Sequence, residues 1–177
     1  LKNDEILKTG MWGENSQFIR INGAKIRQTG IVNDLSYSLK LLSNKKQTSH
    51  SSTITGVFEN DKKNLISILN QLRDDITKVP EDPFIVYPQS NECSEEKFKG
   101  ELLSQDEAAN ILMKPIQGVD LTGLWASGNI YTGVANSTGQ RHWFETETFS
   151  LDYSLITKDK KMVKDCFAGT YWDQKKY

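Results

Sequence analysis

Hydrophobic and polar positions alternate over much of this chain, and the alternation predicts its strands. From Asp34 to Leu41, the side chains Leu35, Tyr37, Leu39 and Leu41 fall on one side and Asp34, Ser36, Ser38 and Lys40 on the other. That period of two is the pattern of a half-buried strand. Phe149, Leu151, Tyr153 and Leu155 alternate in the same way with Ser150, Asp152, Ser154 and Ile156. Upstream, FIRI and AKIRQ flank Asn22-Gly23 within SQFIRINGAKIRQ. Asn-Gly supplies the positive φ values of a type I′ turn, so a hairpin is predicted there. SNKK at 43–46 turns the chain into a polar return strand, QTSHSSTITG.

The period changes after Glu59. In ENDKKNLISILNQLRDDITK, Leu65, Ile68, Leu69, Leu72 and Ile76 recur at helical spacing. Asn60 or Asp61 is positioned to cap this helix, and Pro80 and Pro83 end it. Residues 87–101 read as a polar connector. Ser104 and Glu107 then form a capping box, which predicts a second helix to about Lys114, stopping before Pro115. From Val119 onward the pattern is all strand: LTGLWAS, IYTGVANS, RHWFETETFSLDYSLIT and MVKDCFAGTYW, with turns at 136–139 and 158–161.

LSYSL at 35–39 matches LDYSL at 151–155, an offset of 116 that also sets Lys45 against Lys161. This reads as an internal duplication. The predicted class is α+β, with an antiparallel sheet built from two similar β units and two main helices.

Bulk properties narrow the setting. At 177 residues the chain is predicted to be one domain, 1–177, able to bury its own core. Its formal net charge of -1 gives no bulk attraction to nucleic acid or anionic lipid. No apolar run reaches the roughly 20 residues of a membrane span, and the first fifteen residues lack the apolar core of a signal peptide. Two cysteines, Cys93 and Cys166, make no disulfide framework. A cytoplasmic location follows as the expectation. The chain begins at Leu1 and ends in a strand-like TYWDQKKY, which reads as a fragment of a longer protein.

Candidate chemistry is sparse. The potential soft metal ligands are His50, His142, Cys93 and Cys166, and none is paired at ligand spacing. His142 and Glu145 are three apart on a predicted strand, which points them to opposite faces. No G-x-S-x-G elbow and no phosphate-binding glycine motif is present. Cys166 lies in a strand pattern and is read as a half-buried, unreactive thiol. Arg20, Lys25, Arg27, Arg141, Trp143 and Phe144 could form a basic-aromatic face, but the net charge argues against nucleic acid.

Two stretches carry a resemblance. FIRINGAKIRQTG at 18–30 and LTGLWASGNIYTGVANSTGQRHWFETETFSLDYSL at 121–155, with its A-N-S-x-G-Q-R-x-W core, resemble the TldD/PmbA family. VPEDPF at 79–84 resembles a helix-to-strand junction of one bacterial branch. These are candidate zinc metallopeptidases once described as modulators of DNA gyrase. The resemblance runs from about residue 16 to the end. It implies the N-terminal α+β domain of a longer protein whose C-terminal domain holds an H-E-x-x-x-H zinc motif in TldD-type members. PmbA-type members lack the motif and act as partner subunits. Paired chains enclose a chamber in which an unfolded peptide is cut.

This sequence contains no H-E-x-x-x-H, so no zinc ligand carries over. The parent is then either an active subunit or a metal-free partner. The 177 residues alone are expected to be inactive, with no catalytic, cofactor or metal residue of their own; zinc belongs to the full-length protein. Expected partners are its own C-terminal domain, a second family member in a homo- or heterodimer, and a peptide substrate, with neither nucleic acid nor membrane. The residues expected to face a peptide or partner are Arg20, Arg27, Asn136, Arg141 and Trp143. The alternative is a stand-alone module that binds a protein or peptide without catalysis.

Overall fold

The alternating segment at 34–41 lies inside a strand of 19 residues. In the computed structural model, which describes residues 1, 2 and 4–177, the elements run β1 (Ile6–Asn22), β2 (Lys25–Ser43), β3 (Lys46–Thr53), α1 (Phe58–Asp75), β4 (Cys93–Phe98), α2 (Gln105–Met113), β5 (Asp120–Asn136), β6 (Arg141–Ile156) and β7 (Met162–Gly169). The strands form a seven-stranded antiparallel sheet in the order β3-β2-β1-β5-β6-β4, with β7 also paired to β6. The class is α+β, as the patterning predicts. Among the described residues, no helix is long and apolar enough to cross a membrane.

The chain divides into two compact units, and the long strands contribute to both. The first comprises Leu1–Gly13, Asp34–Glu96 and Tyr131–Phe144; the second comprises Glu14–Asn33, Lys97–Ile130 and Glu145–Tyr177. In the first unit, α1 lays Ile68, Leu72 and Ile76 on Tyr37, Leu39 and Leu41 of β2. Each such aliphatic side chain stabilises by roughly 1.5–3 kcal/mol when fully buried. In the second, Ala108 and Leu112 of α2 and Ile116 join Trp125, Phe149 and Trp172, whose rings lie 5.2–5.3 Å apart.

Each unit thus holds one helix and the hairpin that carries its copy of the matched segment, β2–β3 in the first and β6–β7 in the second. The hairpins close differently. Ser43 pairs with Lys46 across a two-residue turn, with Asn44 at φ 48° and Lys45 at φ 58°. Ile156 pairs with Met162 across the longer loop 157–161, where the left-handed residue is Lys160 at φ 58°. The structural counterpart of Lys45 is therefore Lys160, one position before the lysine that the constant offset selects.

Several local expectations are corrected. The first hairpin turns at Gly23 and Ala24, φ 58° and 52°, one residue beyond Asn22-Gly23. Its register carries Asn22 into the strand, and the Ala24 N–H donates to the Leu121 carbonyl at 3.1 Å. Neither Asn60 nor Asp61 caps α1. The cap position is Val57, and Asp61 reaches back to accept from the Thr55 N–H, the Thr55 hydroxyl and the Gly56 N–H. Those bonds, the Thr55 N–H foremost, hold its carboxyl below the ordinary range. Ser104 does cap α2, but its hydroxyl donates to the Glu107 carboxylate at 2.9 Å instead of bonding a backbone N–H.

The 87–101 connector contains β4, a strand without buried positions and hence without a hydrophobic signal. LTGLWAS and IYTGVANS are one strand, β5, continuous through Gly128. A Cβ on Gly128 would meet the Asn15 carbonyl oxygen at 2.2 Å and Ser16 Cα at 2.6 Å. The glycine therefore marks close backbone approach, not a break. Cys166 is exposed, as is Cys93. Its place on the hairpin β6–β7 opposite Asp152 turns it outward.

Candidate functional site

The stretch ANSTGQRHW builds a densely bonded turn of the first unit. Asn136 Oδ1 accepts from the Thr138 N–H, the Thr138 hydroxyl and the Gln140 N–H at 2.7–3.1 Å. A short side chain bonding to backbone two residues on is the chemistry that makes asparagine a turn former. Ser137 ties the turn to β1, and Thr138 ties it to the segment before β4, donating to the Ser90 carbonyl at 3.1 Å. The Arg141 N–H adds a bond to the Glu92 carbonyl at 3.1 Å.

This network sets the hydrogen bonding of His142. Asn136 Nδ2 donates to Gln140 Oε1 at 2.9 Å, which turns the Gln140 NH₂ toward the imidazole. Gln140 Nε2 lies 3.1 Å from His142 Nε2, which must accept. The ring proton of the neutral tautomer assigned by these bonds then sits on Nδ1 and faces Ser94 Oγ at 2.8 Å. Both nitrogens are occupied by structural bonds. The side chain ties β6 to β4. Glu145 belongs to the other unit. Among the described residues, no three His, Cys, Asp or Glu side chains converge on a point where a metal ion could sit.

The candidate residues separate into two groups. Asn136, Arg141 and Trp143 lie in the first unit, and Arg20 and Arg27 in the second. Arg20 and Arg27 are exposed on β1 and β2, with the Arg20 guanidinium 5.9 Å from the Phe18 ring centroid. Trp143 is half-buried. Its ring stacks on Tyr131, centroids 6.0 Å apart, and lies across Gly133. Arg141 is exposed.

Sequence reasoning missed the concave surface beside them. In the first unit, α1 covers the β2 side of one sheet face and leaves a groove of about 490 Å³ between Leu65, Ile66 and Leu69 of the helix and Leu7 and Met11 of β1. A second depression of about 490 Å³ adjoins it, sharing Thr9, Met11 and Ala135 and bordered by Arg141, Trp143 and β4. One signal was available: Ile66 breaks the helical spacing of Leu65, Ile68, Leu69 and Leu72, and it remains 54% exposed.

No protein-family model and no curated protein matches the chain in sequence. Its fold, however, is that of TldD/PmbA-type proteins. It is similar to a candidate modulator of a DNA gyrase from Thermotoga maritima (TM-score 0.63, 13% identity) over 93% of this chain and 39% of that one. A candidate modulator of DNA gyrase from Bacteroides thetaiotaomicron is similar at TM-score 0.69 and 11% identity, over 94% of this chain and 41% of that one. TldE from Thermococcus kodakarensis is similar at TM-score 0.65 and 10% identity, over 96% and 40%. The chain thus spans about two fifths of the length of the solved structures it matches.

Proposed function

We propose that this chain is the N-terminal domain of a TldD/PmbA-type zinc-dependent peptidase, acting as scaffold and chamber wall for an unfolded peptide. The observation that carries the reading is the fold likeness, which takes in 93–96% of this chain but only 39–41% of each longer one. Such coverage leaves room in the parent for a further domain that brings the metal. The engaged state of His142 supports a structural role for the A-N-S-x-G-Q-R-x-W segment. In this reading the metal-free partner subunit is the other form the parent can take.

The test uses the full-length protein. Bound zinc is measured by elemental analysis, and cleavage of an unfolded peptide is followed with and without chelator. Near-stoichiometric zinc and chelator-sensitive cleavage identify the active subunit. Zinc-free protein that gains cleavage only with a second family member identifies the partner type. Absence of both in every pairing overturns the proposal.

A specific observation favours a second reading, a peptide- or protein-binding module without catalysis. The concave surface of the first unit is self-contained, lined by residues of that unit alone. Such a module would bind its ligand with no metal anywhere in the protein.

A further inference from the structure

We infer that the groove beside α1 and the adjoining depression at Trp143 form one binding site for an extended peptide, with an apolar side chain under α1 and a carboxylate at Arg141. The inference deepens the peptidase reading and rests on it for the class of ligand. Its physical basis is the contrast between the two ends. Under α1 the wall is mostly apolar, with Thr9, Asp61 and the Asn136–Ser137 turn also on it, and Ile66 is half-exposed at the rim. An apolar side chain placed there removes its surface and that of Ile66 from water. At the other end, Arg141 is an exposed cation with no side-chain partner among the described residues. The acid that also borders the depression, Glu95, is already engaged. An unpaired guanidinium beside an aromatic platform offers a fork for a carboxylate.

Geometry gives the spacing. The sheet order places β2, β1, β5, β6 and β4 side by side. Neighbouring strands lie about 4.8 Å apart, so the path from the α1 groove to Arg141 on β6 crosses roughly 10–14 Å. An extended chain covers about 3.3 Å per residue, which separates the apolar residue from the carboxylate by about three or four residues. Gly133 keeps the floor low: a Cβ there would meet the Trp143 ring at 2.9 Å. The ring can therefore lie flat as a surface for the intervening backbone.

The test is fluorescence anisotropy on the full-length protein. The probe is a labelled hexapeptide with leucine four residues before a free carboxyl terminus. Chelator is present, so that binding is read with hydrolysis off. Amidating the peptide terminus and making Arg141→Ala are each expected to weaken binding about tenfold, without adding to one another. Arg141→Lys should restore part of the loss, and Ile66→Asn should weaken binding of the leucine peptide but not of one with asparagine in its place. Arg141 and Ile66 are exposed, so these variants should fold. Equal binding of the amidated peptide, or unchanged binding by Arg141→Ala, overturns the inference. So does decanoate binding at least as tightly as the peptide, which would make the groove a fatty-acid site. The same protein without chelator reports cleavage separately. Zinc-dependent cleavage with no effect of Arg141 sinks the groove alone; binding that behaves as stated without cleavage in any pairing sinks the peptidase reading alone.

Discussion

Leu7 and Ser137, 130 positions apart, are joined by two reciprocal hydrogen bonds: the Leu7 N–H donates to Ser137 Oγ at 3.1 Å and the Ser137 N–H donates to the Leu7 carbonyl at 2.9 Å. The serine uses its hydroxyl to extend the pairing of β1 beyond the last ladder position of β5. Ser137→Ala removes one of the two bonds and leaves the Leu7 N–H to water. A cost of about 1 kcal/mol is expected, read as a lower urea midpoint at unchanged slope. Amide exchange should quicken at Leu7 first. An unchanged midpoint together with unchanged exchange at Leu7 would show that the bond contributes nothing.

Arg73 grips Glu5 with two parallel bonds, Nε and Nη2 each at 2.8 Å from a carboxylate oxygen. The Glu5 side chain is only 5% exposed. The Arg73 bonds, against the opposing effect of burial, hold the Glu5 carboxyl down at about 2, from an ordinary 4.5. A depressed folded value means the stabilisation is whole above about pH 4.5 and drains away as pH falls toward 2. It should amount to roughly 2–3 kcal/mol at neutral pH. Glu5→Gln should be less stable at pH 7 and show a flatter acid limb between those values. Parallel acid limbs for the two proteins would refute this account.

How much of this was readable from the residues alone depends on where the signal resides. The hairpin at 34–53 and helix α1 were legible because burial imposes a period on the sequence, and Leu39, Leu41, Ile68 and Leu72 obey it. Strand β4 was not legible: no position of it is buried, so CSEEKF has no apolar face to reveal. The split of β5 into LTGLWAS and IYTGVANS failed for the opposite reason. A glycine admitted for close backbone approach looks the same in sequence as one admitted for a turn. At the candidate site, Asn136, Arg141 and Trp143 drew notice by residue type, but the groove needs Leu7 and Leu65 brought together from distant segments. No local pattern records such a juxtaposition.

Gly128 and Gly133 should respond differently to the same change. A methyl group on Gly128 collides with the backbone at Asn15 and Ser16, which cannot turn aside. A methyl on Gly133 meets only the Trp143 ring, which can tilt. Gly128→Ala should cost on the order of 3 kcal/mol or more, and Gly133→Ala about 1–2 kcal/mol with a shifted Trp fluorescence. Equal costs would mean that β1 and β5 can separate at Asn15.

Tyr177 anchors the end of the second unit by donating its hydroxyl to the Leu112 carbonyl at 2.7 Å. Burial, and after it the neighbouring Tyr153, pushes its hydroxyl up to about 12 from an ordinary 10. For an acid whose folded value is raised, stability is whole below about pH 10 and falls as pH climbs toward 12. In a tyrosinate absorbance titration of the six tyrosines, one should ionise late, and Tyr177→Phe should remove that late step. The variant should also lose about 1 kcal/mol from the missing bond. A late step that survives the substitution would assign it to another tyrosine.

His142 tests whether the A-N-S-x-G-Q-R-x-W segment is machinery or framework. Both ring nitrogens are spent on Ser94 and Gln140, and Gln140 is fixed in turn by Asn136. A base needs a free nitrogen within reach of the proton it removes. Occupying both leaves the imidazole a tie between β6 and β4. His142→Ala should therefore leave the peptidase activity proposed for the full-length protein within about twofold while lowering stability by about 1 kcal/mol, the worth of an exposed hydrogen-bonded link. His142→Gln, which can still donate to Ser94, should recover part of that stability. A loss of kcat of a hundredfold or more with stability unchanged would reverse the reading, because general acid–base groups contribute about 10²–10⁴ in rate.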